Sequence, residues 1–160
     1  MLSTQAPVEP GLEAWVNFLR AHASLTRALS ARLEAEHGLT LRDFDVLAQL
    51  AYAPDRQLRR VDLARGVLLS ASGITRLLDG LERAGLVEKG TCASDARVTY
   101  AVLTNAGFER FRAAREAHLR DVESVFGSRF SAPERDQLSA LLARLLDPGE
   151  DELACTVEPE

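Results

Sequence analysis

The stretch LLSASGITRLLDGLERAGLVEK, residues 68–89, carries the strongest fold signal in the chain. Ser70 is placed to cap a helix that runs to about Ala84, since its hydroxyl can accept from an amide of the first turn. Ile74, Leu77, Leu78 and Leu81 recur at helical spacing and form one apolar stripe. Gly85 suits the left-handed residue that closes a helix. The apolar period then changes, and Leu86 to Lys89 reads as a short strand. The side of the helix away from the stripe carries Ser70, Ala71, Ser72, Gly73, Thr75 and Arg76 near its start. Small residues there let a helix backbone enter a major groove about 12 Å wide. Ser and Thr can bond phosphates or base edges, and Arg76 can fork onto a guanine.

Upstream, Arg60 to Gly66 gives a helix of about two turns, with Val61, Leu63 and Ala64 as inward candidates. A short helix, a turn and a capped second helix make a helix-turn-helix. The same local pattern also fits a plain buried helix pair with an incidental polar face. Residues 90–103 favour the first reading. Gly90 to Ala96 is small and polar, as at a hairpin tip, and Val98 to Leu103 alternates as a return strand with Val98, Tyr100 and Val102 on one face. Arg97 sits near that tip, where a thin hairpin can insert a guanidinium into the narrow minor groove. Asp95, two residues earlier, can pair with it and set its direction. The expected fold is mainly α with a small β-hairpin wing: a winged helix-turn-helix.

Long amphipathic helices flank this unit. Leu12, Trp15, Val16 and Leu19, then Leu25, Leu29 and Leu33, mark a helix over about 11–37 that Gly38 ends. Thr40, with Asp43 three residues on, caps the next helix, which bears Phe44, Val46, Leu47 and Leu50 and stops at Pro54. Asp55 to Gln57 reads as a polar loop. Thr104 and Asn105 open a helix to about Phe126. Ser131, Pro133 and Glu134 open a last one, faced by Leu138, Leu141, Leu142, Leu145 and Leu146. The helices at 11–37, 104–126 and 131–146 carry more apolar surface than a small core can bury, so a twofold dimer is expected, with Val125, Phe126, Phe130 and the last leucines at its interface. The division is one domain over 11–146, a DNA-binding lobe at about 40–103, dimerisation helices at about 11–37 and 104–146, and flexible tails at 1–10 and 148–160.

Charge needs a regional reading. The 160 residues carry a net charge of -5, which argues against a nucleic-acid partner. Yet Glu150, Asp151, Glu152, Glu158 and Glu160 fall in a tail without Lys or Arg, and the remainder is neutral. Residues 56–112 hold ten basic against six acidic residues, a surplus of four. A local basic region is what phosphate contact requires. No apolar run reaches the roughly 18 residues that span a bilayer, and Met1 to Pro10 lacks the basic and apolar regions of a secretory signal. A cytoplasmic protein without a membrane partner is expected. Cys92 and Cys155 form no CxxC pair, so reduced thiols are expected, with a redox role for Cys92 the alternative. His22, His37 and His118 lack ligand spacing, so neither a metal nor a cofactor is expected. There is no GxSxG, no HExxH and no phosphate-cradling glycine loop, which leaves no basis for an enzyme. A winged-helix module that binds protein is the competing class, separable by salt-dependent duplex binding.

Taken together, the motifs make a family recognisable. Residues 63–107 resemble the MarR family of transcription regulators, through LLSASGITRLLDGLERAGLVEK at 68–89, SDAR at 94–97 and LTNAG at 103–107. LTLRDFDVLAQL, residues 39–50, is similar to the family's helix ahead of the helix-turn-helix. The resemblance implies base and phosphate contacts from Ser70, Ser72, Thr75 and Arg76, and a minor-groove role for Arg97 oriented by Asp95. With Arg60, Ala71, Gly73 and Lys89 these are the candidate DNA-binding residues. It implies a homodimer on a pseudo-palindromic operator, repression by occupancy, and release by a small aromatic or phenolic anion. Trp15, Phe18, Phe44, Asp45 and Arg65 are the candidates for that effector's pocket, although core packing explains Trp15 and Phe44 equally well. The chain departs from the family where Ala96 replaces a usual Arg, where Gly90 replaces a basic residue, and where Cys92 and Ala93 replace the wing-tip Asp and Pro. Each loss of a basic residue weakens the wing's hold on phosphate.

Overall fold

The computed structural model describes residues 10–67, 71–91 and 99–146. Ser70, Cys92, Asp95, Arg97 and both tails lie outside the described residues. The elements run α1 (Pro10–His37), α2 (Leu41–Tyr52), β1 (Gln57–Arg59), α3 (Arg60–Gly66), α4 (Ala71–Arg83), β2 (Val87–Thr91), β3 (Thr99–Leu103), α5 (Asn105–Val125) and α6 (Ala132–Ala143). The chain is thus mostly helical with one small antiparallel sheet, as expected.

Local chemistry sets the boundaries. Gly38 and Gly85 close α1 and α4 with φ of 63° and 71°, a conformation that costs glycine least. Thr40 and Asp43 form a reciprocal cap on α2: the Asp43 amide donates to the Thr40 hydroxyl at 3.1 Å, and the Thr40 amide donates to the Asp43 carboxylate at 2.9 Å. Thr104 caps α5 by accepting from the Gly107 amide at 3.0 Å. Its own hydroxyl donates to the Gly85 carbonyl at 2.7 Å, which ties the start of α5 to the exit from α4. Ser131 donates its amide to Glu134 at 2.8 Å, and that bond holds the Glu134 carboxyl below its ordinary value.

The sheet corrects one expectation. Gln57, read as the end of a loop, begins β1, which pairs with β3 through Gln57–Val102, Leu58–Ala101 and Arg59–Tyr100. The strand order is β1-β3-β2. Three residues hold no legible alternation; only the bonds to β3 make them a strand. The preceding turn puts Asp55 and Arg56 at φ of 53° and 54°. The Arg56 guanidinium lies 3.7 Å from the Phe108 ring centre, a cation–π contact. On β3 the Ala101 and Leu103 face meets the core, whereas Tyr100 and Val102 are half-buried.

The core joins both halves of the chain. Val46, Leu47 and Leu50 of α2, Leu63 of α3 and Leu78 of α4 are fully buried with Leu33 of α1 and Ala114 of α5. α6 buries nothing. Phe44 packs its ring 5.5 Å from Phe111 and 4.8 Å from His118 on α5. Burial pushes His118 below the ordinary histidine value of 6.5, against the opposing charge of Asp121. Its Nδ1 is buried without a partner among the described residues. A histidine kept neutral by the fold takes up its proton less readily than in the unfolded chain, so stability falls as pH drops below 6.5. His118→Gln is expected to flatten that fall in melts taken between about pH 7 and 5; an unchanged slope would place the pH dependence elsewhere.

Candidate nucleic-acid interface

The unit that presents the candidate contacts is α3 and α4, backed by the sheet. Ile74, Leu78 and Leu81 turn inward. Thr75 and Arg76 are exposed on the other side, and Gly73 is half-buried. Arg76 makes no ion pair with any described residue. Ala71 and Ser72 occupy the first turn of α4. The expected helix is therefore present, and of the residues expected on its leading face Thr75 and Arg76 are exposed near the N-terminal end of α4.

Arg60 and Lys89 are brought together, though not as two independent cations. The Arg60 guanidinium donates to Glu82 Oε1 at 2.6 Å, and Lys89 Nζ lies 3.3 Å from Glu82 Oε2. Glu82 thereby links α3, α4 and β2. Sequence reasoning did not single out Glu82. Its partners stand 22 residues before it and seven after it, and no local spacing signals either pairing. Arg59, also exposed, pairs with Asp62 at 2.6 Å, which raises the already high pKa of its guanidinium. Gly90 has a structural reason: it lies opposite Tyr100, and a Cβ there would come within 2.9 Å of Val102 Cγ2. Any larger residue there would have to displace the Val102 side chain.

The effector-pocket candidates do not converge within one chain. Trp15 and Phe18 are exposed on α1, with ring centres 6.2 Å apart, and line a groove of about 640 Å3 with Phe126, Phe130, Leu141 and Leu145. Phe44 instead belongs to the core. Asp45 stands outward on α2, where desolvation raises its carboxyl pKa, and Arg65 is exposed on α3. Among the described residues no His, Cys, Asp and Glu cluster could hold a metal ion, and no helix is long and apolar enough to cross a membrane.

Comparison with known proteins decides what this arrangement is. A family model described as the MarR family matches residues 37–98, from the end of α1 to the segment that joins β2 and β3. The uncharacterized HTH-type transcriptional regulator YkoM of Bacillus subtilis is 31% identical over 137 residues, covering 86% of each chain. The chain belongs to the MarR family. Among solved structures, the MarR regulator AbsC of Streptomyces coelicolor superposes with a TM-score of 0.80 at 28% identity, covering 89% of this chain and 95% of that one. Sco3205, a MarR regulator from the same organism solved in complex with DNA, superposes equally at 0.80 and 25% identity, covering 92% and 96%. This MarR protein is therefore a DNA-binding transcription regulator of winged helix-turn-helix fold rather than an enzyme.

Proposed function

We propose that this regulator represses transcription by occupying a pseudo-palindromic operator as a homodimer, and that a small aromatic anion releases it. The observation that carries the reading is how the surface divides. One end presents the polar leading face of α4 with Arg76. The other leaves large apolar side chains open: Leu12, Trp15 and Leu19 of α1, Leu141 of α6, and Leu145 and Leu146 just beyond it. Exposed apolar area of this kind marks an association surface. A twofold pair formed through α1, α5 and α6 would present two copies of α4 at half-sites about one helical turn apart.

In that arrangement Ser70, Ala71, Ser72 and Gly73 let α4 approach the bases, and Thr75 and Arg76 read them. Lys89 meets phosphate. Arg97, aimed by Asp95, enters the minor groove. Trp15, Phe18, Phe44, Asp45 and Arg65 form the effector's surroundings only if the partner protomer completes them, since one chain keeps them apart. The protein acts where its DNA is, in the cytoplasm.

Selection of duplexes from a random pool tests the whole reading. The expected product is a two-fold symmetric site bound by two protomers, with log affinity falling linearly as log salt rises. Occupancy of that site is expected to lower output from a promoter that contains it, and titration with salicylate to release it. A pool with no enriched symmetric sequence, or a monomer at binding concentrations, would sink the proposal.

A further inference from the structure

Glu82 is a half-buried carboxylate within the reading unit, and its two oxygens serve different cations. Oε1 accepts from Arg60 at 2.6 Å; Oε2 faces Lys89 Nζ at 3.3 Å. The two cations are not equivalent. The Arg60 side chain is 19% exposed and Lys89 is 56% exposed. The Nε of Arg60 is buried without a partner among the described residues, so Glu82 is what balances that guanidinium. Arg60 is a strut between α3 and α4. Lys89 is the cation open to an approaching phosphate, and Glu82 offsets part of its charge.

We propose that Glu82 sets how strongly this regulator is drawn to DNA of any sequence, by holding the Arg60 strut with one oxygen and restraining Lys89 with the other. The inference rests on the DNA-reading role of this face. Attraction to phosphate is independent of sequence and supplies essentially all non-specific binding, whereas base contacts supply discrimination. A carboxylate beside the outward lysine of β2 weakens the first and leaves the second untouched. It also explains how a face with two candidate phosphate contacts offers only one effective positive charge there.

Glu82→Gln separates the two oxygens' tasks. Glutamine can still accept from Arg60 through its carbonyl, while its amide no longer neutralises Lys89. We expect this variant to melt close to wild type and to bind a random duplex about three- to tenfold tighter near 0.1 M salt, with a salt slope steeper by about 0.9. Lys89→Ala is expected to cost more slope in the Glu82→Gln background than in wild type, since the lysine acts at full charge only there. If Glu82→Gln folds poorly, the double change Arg60→Met with Glu82→Met replaces the pair by apolar groups; the cluster then keeps one positive charge as in wild type but Lys89 is unrestrained, so Lys89→Ala is expected to cost more slope in that background than in wild type. The proposal is overturned if folded Glu82→Gln protein binds random duplex no tighter than wild type, or if Lys89→Ala has the same effect with and without the Glu82 carboxylate. Wild-type protein that binds no duplex in a salt-dependent way would instead defeat the DNA-reading role itself, so the two failures are distinct.

Discussion

Arg76→Ala is expected to weaken operator binding by about 1–3 kcal/mol, roughly five- to 150-fold at fixed salt. Arg76 is exposed on the outward side of α4 and has no ion-pair partner among the described residues to hold it back. A guanidinium so placed can present its fork to the two acceptors of a guanine in the major groove. Arg76→Lys discriminates base reading from simple attraction. It keeps the charge and loses the fork, so it should restore binding to random duplex while leaving operator binding impaired. Equal operator affinity for all three proteins would remove Arg76 from recognition. Arg97→Ala is expected to cost a similar amount, with a different signature. A minor-groove contact responds to groove width, so the loss should be largest on operators with A·T-rich flanks.

The second large effect concerns a glycine. Gly107→Ala is expected to destabilise the fold by about 1–3 kcal/mol, the usual range for overpacking a tight contact. Gly107 is buried in the first turn of α5, where a Cβ would collide with the backbone carbonyl of Leu86 and press on Leu103 Cδ1. A backbone group cannot swing aside as a side chain does, so β2 and α5 must separate. Gly80→Ala in the last turn of α4 is the matched control. A Cβ there meets nothing within 4 Å, and alanine favours a helix interior by roughly 0.5–1 kcal/mol. Thermal melts at one protein concentration should move in opposite directions for the two variants. A common direction, or no loss for Gly107→Ala, would mean that the α5–β2 junction yields more easily than its geometry indicates. Because Thr104 bridges α5 to Gly85 at the same junction, the larger consequence falls where the exit from α4 meets the start of α5.

The helices and their ends were legible in the sequence because their causes are local. The stripe Ile74, Leu78, Leu81 and the closing glycines Gly38 and Gly85 each act within a turn of the residues they organise, and the structure places them as the spacing predicts. The family motifs from Leu68 to Gly107 were legible for the same reason: each lies within one short segment. The small and polar residues at the start of α4 could therefore be singled out from the order of residues alone.

Other features depend on contacts between residues far apart in the chain, and these only folding settles. β1 exists because Gln57 to Arg59 finds Tyr100 to Val102, and three residues carry no period of their own. The use of Ala101 and Leu103 rather than Tyr100 and Val102 as the core face follows from which side of the sheet meets α2 and α3. Trp15 and Phe44, alike in sequence as aromatic members of apolar helix faces, part company: one lines an open groove and the other is buried against Phe111 and His118. Composition counts Arg60, Lys89 and Glu82 as separate charges. Tertiary packing sets the carboxylate between the two cations, and at 2.6 Å and 3.3 Å the energy depends on that separation rather than on any spacing along the chain.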